Sequence, residues 1–326
     1  MPKHALILRD NLKHNVSALM TRAHKSLMDL ARVYFLTEVA GQARATIEAK
    51  KRDLARFLGF YQQLYGHDRP DEWYRSVTRE FLKQLRRGRP AQATVVRTYA
   101  SVRHFARWTH YKVKPFPLGC PTDGVKPPEE PEAEWKGLSR AAELRLLNAV
   151  QTLRVRPGRG TNQGIRDHAA IALLLGSSLR VSEVLNLNSE QYTGRGFKHV
   201  LIKGGRIRDF VPVQAQAREA LEELLAVKGE KKGPLFTTRT GKRLSRTQMF
   251  LILQRIANQA SAHLPAGERI KVSPHVLRHT FLRKLAEEKG VQYAKEASGH
   301  KSDRYIWRYV KPSQQSLAAA IDELDA

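Results

Sequence analysis

The chain has 326 residues, with 57 lysines and arginines against 31 acidic residues, a formal net charge of +26. Apolar residues make up 41%, enough for ordinary cores, and the length suits two domains. The cationic excess is spread along the whole chain rather than gathered in a tail, which points to a polyanionic partner, most simply nucleic acid.

No apolar run is long enough for a membrane helix. The opening residues Met1 to Arg9 lack a signal-peptide core, so a cytoplasmic, nucleoid-associated location is expected. The single cysteine, Cys120, excludes an internal disulfide framework and fits a reducing compartment.

Residues 1–35 mix basic and apolar side chains and read as helical. They are either an extra helix on the first domain or a small arm that contacts DNA. From Thr46 to about Tyr65, Ile47, Leu54, Phe57, Leu58 and Tyr61 form a helical apolar stripe. Helices are predicted over about Trp73–Leu85 and Thr94–Tyr111, the latter with Val95, Tyr99, Val102 and Ala106 inward. Lys51, Arg87, Arg97, Arg103 and Arg107 in this region, and Arg206 further on, are candidates for phosphate contacts. Such contacts position DNA without reading its sequence. Residues 1–111 thus read as a helical DNA-binding domain.

Residues 112–136 hold six prolines and several glutamates, and have no helical or strand period. They read as an extended, stiff linker. The second domain, 137–326, starts with Ser139 capping a helix to about Leu153, then a basic loop over Arg154–Gln163 and a helix from about Arg166. That helix breaks at Gly176-Ser177-Ser178, and Leu179-Arg180-Val181-Ser182-Glu183 opens the next. Phe197–Lys203 and Arg206–Val213 read as strands of a hairpin turning at Gly204-Gly205. Pro234–Thr237 is a further short strand. Helices are predicted near Ala215–Lys228, Ser245–Ala262, Pro274–Glu288 and Gln292–Ser298. A tail helix carries Leu317, Ala320, Ile321 and Leu324.

The stretch from Ser273 to Tyr309 carries the chemistry. Ser273 suits an N-cap and Pro274 the first helical position. His275 and Arg278 then share a face near a helix N-terminus, where an anion is favoured. Arginine grips phosphate oxygens with parallel hydrogen bonds. His300 follows 25 residues after His275, and Tyr309 nine residues after that. Each residue alone has an ordinary explanation, such as a surface arginine, a satisfied core histidine or a core aromatic.

Together, Leu179-Arg180-Val181-Ser182-Glu183, Lys203-Gly204, His275-Val276-Leu277-Arg278-His279-Thr280, Gly299-His300 and Tyr309 resemble the tyrosine site-specific recombinases of the phage-integrase type. The resemblance covers about residues 137–326, and more loosely the helical domain before. Ser178 stands where the family usually has glycine, Ser298-Gly299-His300-Lys301 replaces Leu-Gly-His-Ser, and the hairpin turn is one residue longer. Arg206 is therefore a rival to Lys203, and Tyr305, one turn from Tyr309, a rival nucleophile.

The resemblance implies a mainly α fold with a small antiparallel β-sheet, arranged as a two-domain C-shaped clamp around duplex DNA. It implies that Arg180 and Arg278 meet charge on the non-bridging oxygens, Tyr309 attacks phosphorus, and a 3′-phosphotyrosyl link forms. His275 would serve as base or acid, His300 as a hydrogen-bonding partner of the phosphate, and Lys203 as donor to the 5′-oxygen. Glu183 would orient a neighbour. Neither metal, cofactor nor ATP is expected. The implied partners are double-stranded DNA with inverted-repeat core sites and a homotetramer on paired sites, with C-terminal helix exchange. Integration, excision or resolution of DNA, as on a mobile genetic element of bacterial, archaeal or phage origin, is the implied role.

Other readings are a type IB topoisomerase-like activity, a metal-dependent nuclease and a non-catalytic DNA-binding protein. The nuclease needs clustered carboxylates, whereas Asp167, Glu183 and Glu190 fall on separate segments.

Overall fold

Apolar residues at helical spacing dictate the first unit. In the computed structural model, which describes residues 25–130, 137–155, 161–202, 204–229, 231–299 and 321–322, the chain divides into two compact units, Met1–Glu132 and Ala133–Ala326. The first contains helices α1 (Leu27–Thr37), α2 (Arg44–Tyr65), α3 (Arg75–Arg87) and α4 (Gln92–Trp108). Ser26 caps α1 by accepting from the Asp29 amide, which satisfies one of the open donors of the first turn. Leu54, Phe57 and Tyr61 of the predicted stripe are buried, with Ile47 and Leu58 partly so. The inward set Val95, Tyr99, Val102 and Ala106 of α4 is buried as its spacing requires.

The core of this unit is aromatic. Phe57 packs on Trp73 with centroids 4.4 Å apart and meets Phe81 edge-on at 5.2 Å. Each large side chain fully buried in this way contributes about 1.5–3 kcal/mol. Trp73 precedes α3 rather than opening it, and its indole N–H donates to Thr78 Oγ1. Asp53 of α2 is buried, and accepts bonds from Arg97, Thr98 and Ser101 of α4. A buried carboxylate needs such partners, so this knot locks α2 to α4.

The proline-rich segment, expected as an extended, stiff linker between domains, is also packed. Up to residue 130 it lies against the first unit. Phe116 and Cys120 join that unit's core, and Val125 is buried with Leu82 and Tyr99. Thr78 Oγ1 donates to the Pro121 carbonyl, Tyr99 to the Val125 carbonyl and Gln92 to that of Glu129. The physical reason is that apolar residues interspersed among the prolines have a surface to bury. Proline fixes the extended path but does not keep it off a core.

The second unit contains α5 (Arg140–Val155), α6 (Thr161–Leu175), α7 (Val181–Asn186), the hairpin β1 (Gly196–Ile202) and β2 (Arg206–Pro212), α8 (Ala215–Lys228), α9 (Arg246–Ala260), α10 (Pro274–Lys289) and α11 (Val291–Ser298). Ser139 Oγ accepts from the Ala142 amide at the start of α5. Helix α6 begins at Thr161, inside the stretch read as a basic loop. Its last turns are buried from Ala169 to Leu175, so α6 is the central post of this core. β1 and β2 pair antiparallel, with Phe197 opposite Val211 and Ile202 opposite Arg206. Both turn glycines have positive φ, 90° at Gly204 and 74° at Gly205, as a tight hairpin turn demands. Pro234 and Thr237 make isolated bridges, to Asn188 and Arg243, rather than a strand. Among the described residues no helix is long and apolar enough to cross a membrane. The expected tail helix, apart from residues 321–322, and residues 1–24 lie outside the described residues.

Candidate active site

The start of α10 follows its sequence logic. Ser273 Oγ accepts from the Val276 amide and Pro274 takes the first turn. Leu277 is buried in the core. Thr280 accepts from the Leu138 amide at 2.8 Å and donates to the Val276 carbonyl. This pins α10 to the beginning of the second unit. His275 stands at the helix start with its residue surface open but its ring partly desolvated, whereas Arg278 is buried at 4% exposure. The Arg278 Nη2 donates to the Ser298 carbonyl at 2.9 Å. A buried guanidinium therefore bonds the last residue of α11, two positions before His300.

Arg180 stands at the N-cap of α7 in extended conformation. Its amide donates to Glu183 Oε2 at 2.8 Å and its Nη1 to Glu183 Oε1 at 3.0 Å. The Glu183 carboxylate is buried and thus grips both the backbone and the guanidinium of Arg180, which is the orienting role expected of it. The approach to Arg180 is fixed by Gly176. A Cβ there would meet Ala217 Cβ at 2.7 Å and the Ala172 carbonyl at 3.0 Å. The Gly176 carbonyl accepts from the Gln214 amide. Only glycine permits this close approach of α6 to the start of α8.

Charges from separated segments act on one ring. The His275 imidazole is held below its ordinary pKa by desolvation first, then by the Arg278, Arg180 and Arg246 guanidiniums. Positive charge nearby and loss of water both disfavour the protonated ring. His275, Arg278 and Arg180 therefore share one cationic neighbourhood. Arg246, the first residue of α9, joins them, a member that sequence reading missed. Its place after the N-cap Ser245 could have drawn notice, but nothing in its spacing links it to His275.

Arg208 of β2 was missed as well. Its Nη1 donates to the Ala297 carbonyl at 2.8 Å and approaches Ser178 Oγ at 3.5 Å, and its Nη2 reaches the Glu296 carbonyl at 3.4 Å. Burial lowers its pKa, with Glu183 and Glu296 opposing and Arg180 assisting. Lys203, His300, Tyr309 and Tyr305 lie outside the described residues.

The candidates for phosphate contact behave differently from one another. Arg206 is exposed at the head of β2, and Arg87 and Arg103 are exposed on α3 and α4. Lys51 faces solvent 3.3 Å from Glu48. Arg97 makes a two-pronged pair with Asp53. Arg107 pairs with Asp123 at 2.9 Å and lies over the Tyr111 ring.

The phage integrase family model matches residues 138–316, more than half of the chain. The chain belongs to the phage integrase family. It is 32% identical to the tyrosine recombinase XerC of Neisseria meningitidis serogroup B, over 87% of this chain and 90% of that protein. It is 27% identical to the tyrosine recombinase XerD of Oceanobacillus iheyensis, over 82% and 87%. As a tyrosine recombinase it is an enzyme that cuts and rejoins DNA strands. Solved structures of the same fold include the XerH site-specific recombinase bound to a palindromic difH substrate in a post-cleavage complex. That match has a TM-score of 0.71 and 18% identity, over 92% of this chain and 85% of that one. A lambda integrase dimer bound to a core site matches with TM-score 0.67 and 14% identity, over 87% and 95%.

Proposed function

We propose that this phage-integrase family member performs site-specific recombination through a 3′-phosphotyrosyl intermediate, with Tyr309 as nucleophile. The tyrosine Oη attacks the scissile phosphorus, the bond to the 5′-oxygen breaks, and the new ester conserves the bond's energy. Strand rejoining therefore needs no ATP. Arg180 and Arg278 neutralise the two non-bridging oxygens, a task suited to guanidinium because its charge persists at every working pH. His275 accepts the tyrosine proton and His300 donates a hydrogen bond to the phosphate. Lys203 protonates the departing 5′-oxygen. A 5′-hydroxyl from a second duplex then attacks the phosphotyrosine, and strands exchange.

The observation that carries this reading is geometric: Arg208 links Ser178, beside Arg180, to the end of α11, where Arg278 takes the Ser298 carbonyl, although Arg180 and Arg278 are 98 residues apart in sequence. The lowered pKa of His275, caused by desolvation and then by these arginines, agrees with it. An imidazole kept neutral near pH 7 suits proton acceptance from a group whose unperturbed pKa is about 10. Lys51, Arg87 and Arg103 of the first unit, together with Arg206, hold the DNA backbone, whereas Arg97 and Arg107 are taken up by Asp53 and Asp123. The assembly is a tetramer on two sites with inverted-repeat cores, in which the tail helix passes to a neighbouring protomer.

Trapping on a nicked suicide duplex tests the proposal. Tyr309→Phe is expected to form no covalent protein–DNA adduct while binding the duplex as the parent does. An undiminished adduct in Tyr309→Phe moves the nucleophile to Tyr305.

A further inference from the structure

Helix α11 ends under two guanidiniums that arrive from different elements. Arg278 of α10 takes the Ser298 carbonyl, while Arg208 of β2 takes the Ala297 carbonyl and reaches that of Glu296. A helix C-terminus presents unpaired carbonyls and a partial negative charge, so two cations there are well matched. Gly299 closes the helix in the left-handed region, with φ 66°. Arg208 has a second side to its environment. Its Nη1 also approaches Ser178, two residues before Arg180 in the chain, and the Arg180 and Glu183 charges act on it. Arginine suits this place because its planar fork serves several acceptors at fixed angles, whereas lysine offers a single point of charge.

We propose that Arg208 is a positioning residue for the recombination site, a strut between the Arg180 segment and the end of α11, through which it sets the seat of Arg278. The inference rests on the assignment of Arg180 and Arg278 to the scissile phosphate. Arg208 acts through its bonds to Ser178 and to the Ala297 and Glu296 carbonyls rather than on the phosphate. Its contribution is to keep the two phosphate-binding arms in register, since misplacement by about 1 Å can cost on the order of 100-fold in rate.

The test compares Arg208→Gln, Arg208→Lys, Arg278→Lys and the double variant Arg208→Gln/Arg278→Lys with the parent. Single-turnover strand cleavage at saturating suicide duplex is followed beside duplex affinity and thermal unfolding. Arg208→Gln is expected to slow cleavage about tenfold or more, with affinity within about threefold of the parent. Arg208→Lys, which reaches one carbonyl but not the full set, is expected to fall between. Because Arg208 acts through the seat of Arg278, the loss in the double variant is expected to be clearly smaller than the product of the single losses.

Parent-like cleavage in both Arg208 variants overturns the proposal. So does a loss matched by an equal loss of affinity, or one that simply multiplies with Arg278→Lys. If Arg208→Gln does not fold, the Arg208→Lys comparison and its own cycle with Arg278→Lys decide by the same criteria. Tyr309→Phe run in parallel keeps the two claims apart. An adduct surviving in that variant overturns the nucleophile assignment, while the Arg208 cleavage rates still read the strut.

Discussion

His275 illustrates how a residue of ordinary type acquires a function from its surroundings. Desolvation and three guanidiniums, on Arg278, Arg180 and Arg246, all push its protonated form uphill. Titration of the DNA-free protein by NMR is expected to give a midpoint for His275 below the ordinary 6.5. Arg246→Gln is expected to move that midpoint upward, by removing one of the charges that disfavour the imidazolium. A midpoint above 6.5 contradicts the arrangement. The linkage sign follows from the lowered pKa. Below about pH 6.5 the unfolded chain binds this proton more readily than the fold does. The contribution of His275 to stability is therefore full above that range and is lost as the pH falls through it. The sequence motif identified His275 and Arg278 as neighbours on one helix, but the depression of the imidazole needed Arg180 and Arg246, which arrive from other helices.

At the level of elements, the break between α6 and α7 is where packing and chemistry meet. Gly176 lets α6 approach the start of α8, and the chain then turns to deliver Arg180 to the N-cap of α7. Gly176→Ala is expected to destabilise the fold by about 1–3 kcal/mol, measured by denaturant unfolding, because the added methyl meets Ala217 Cβ at 2.7 Å and backbone at 3.0 Å. It is also expected to slow strand cleavage more than DNA binding, since the displaced turn carries Arg180. Full stability in Gly176→Ala shows that the contact can relax without cost. The Gly/Ser break was legible in the sequence, as was the hairpin marked by Gly204-Gly205. What a glycine at position 176 must avoid was not, because Ala217 lies 41 residues away in sequence.

For the whole molecule the governing quantity is charge. A chain of net charge +26 that neutralises backbone phosphates releases counterions on binding. Its affinity for duplex DNA is therefore expected to fall on the order of 10³-fold or more between about 50 and 200 mM salt, the behaviour of six or more phosphate contacts. Affinity measured by fluorescence anisotropy across that range checks this, and a shallow slope argues for far fewer contacts. Not every basic residue belongs in that count. Arg97 is committed to buried Asp53 and Arg107 to Asp123, pairings that net charge does not reveal. The proline-rich segment carries the same lesson, since its composition reads as a spacer although Phe116, Cys120 and Val125 hold it to the first unit.

By itself the sequence determined the features that local rules control. Ser273 before Pro274 announced the start of α10, Ser139 that of α5, paired glycines the hairpin turn, and apolar periodicity the buried faces of α2 and α4. The ordered motif from Arg180 to Tyr309 determined the family, because six matching positions in one order rarely coincide. Tertiary structure decided which distant groups meet: Arg278 and Arg208 converging on the end of α11, and the charges of Arg180 and Arg246 acting on His275 from other elements. Helical period and capping chemistry act over a few residues and can be read along the chain, whereas the seat of a guanidinium is chosen by burial and by carbonyls from elsewhere, which exist only once the chain has packed.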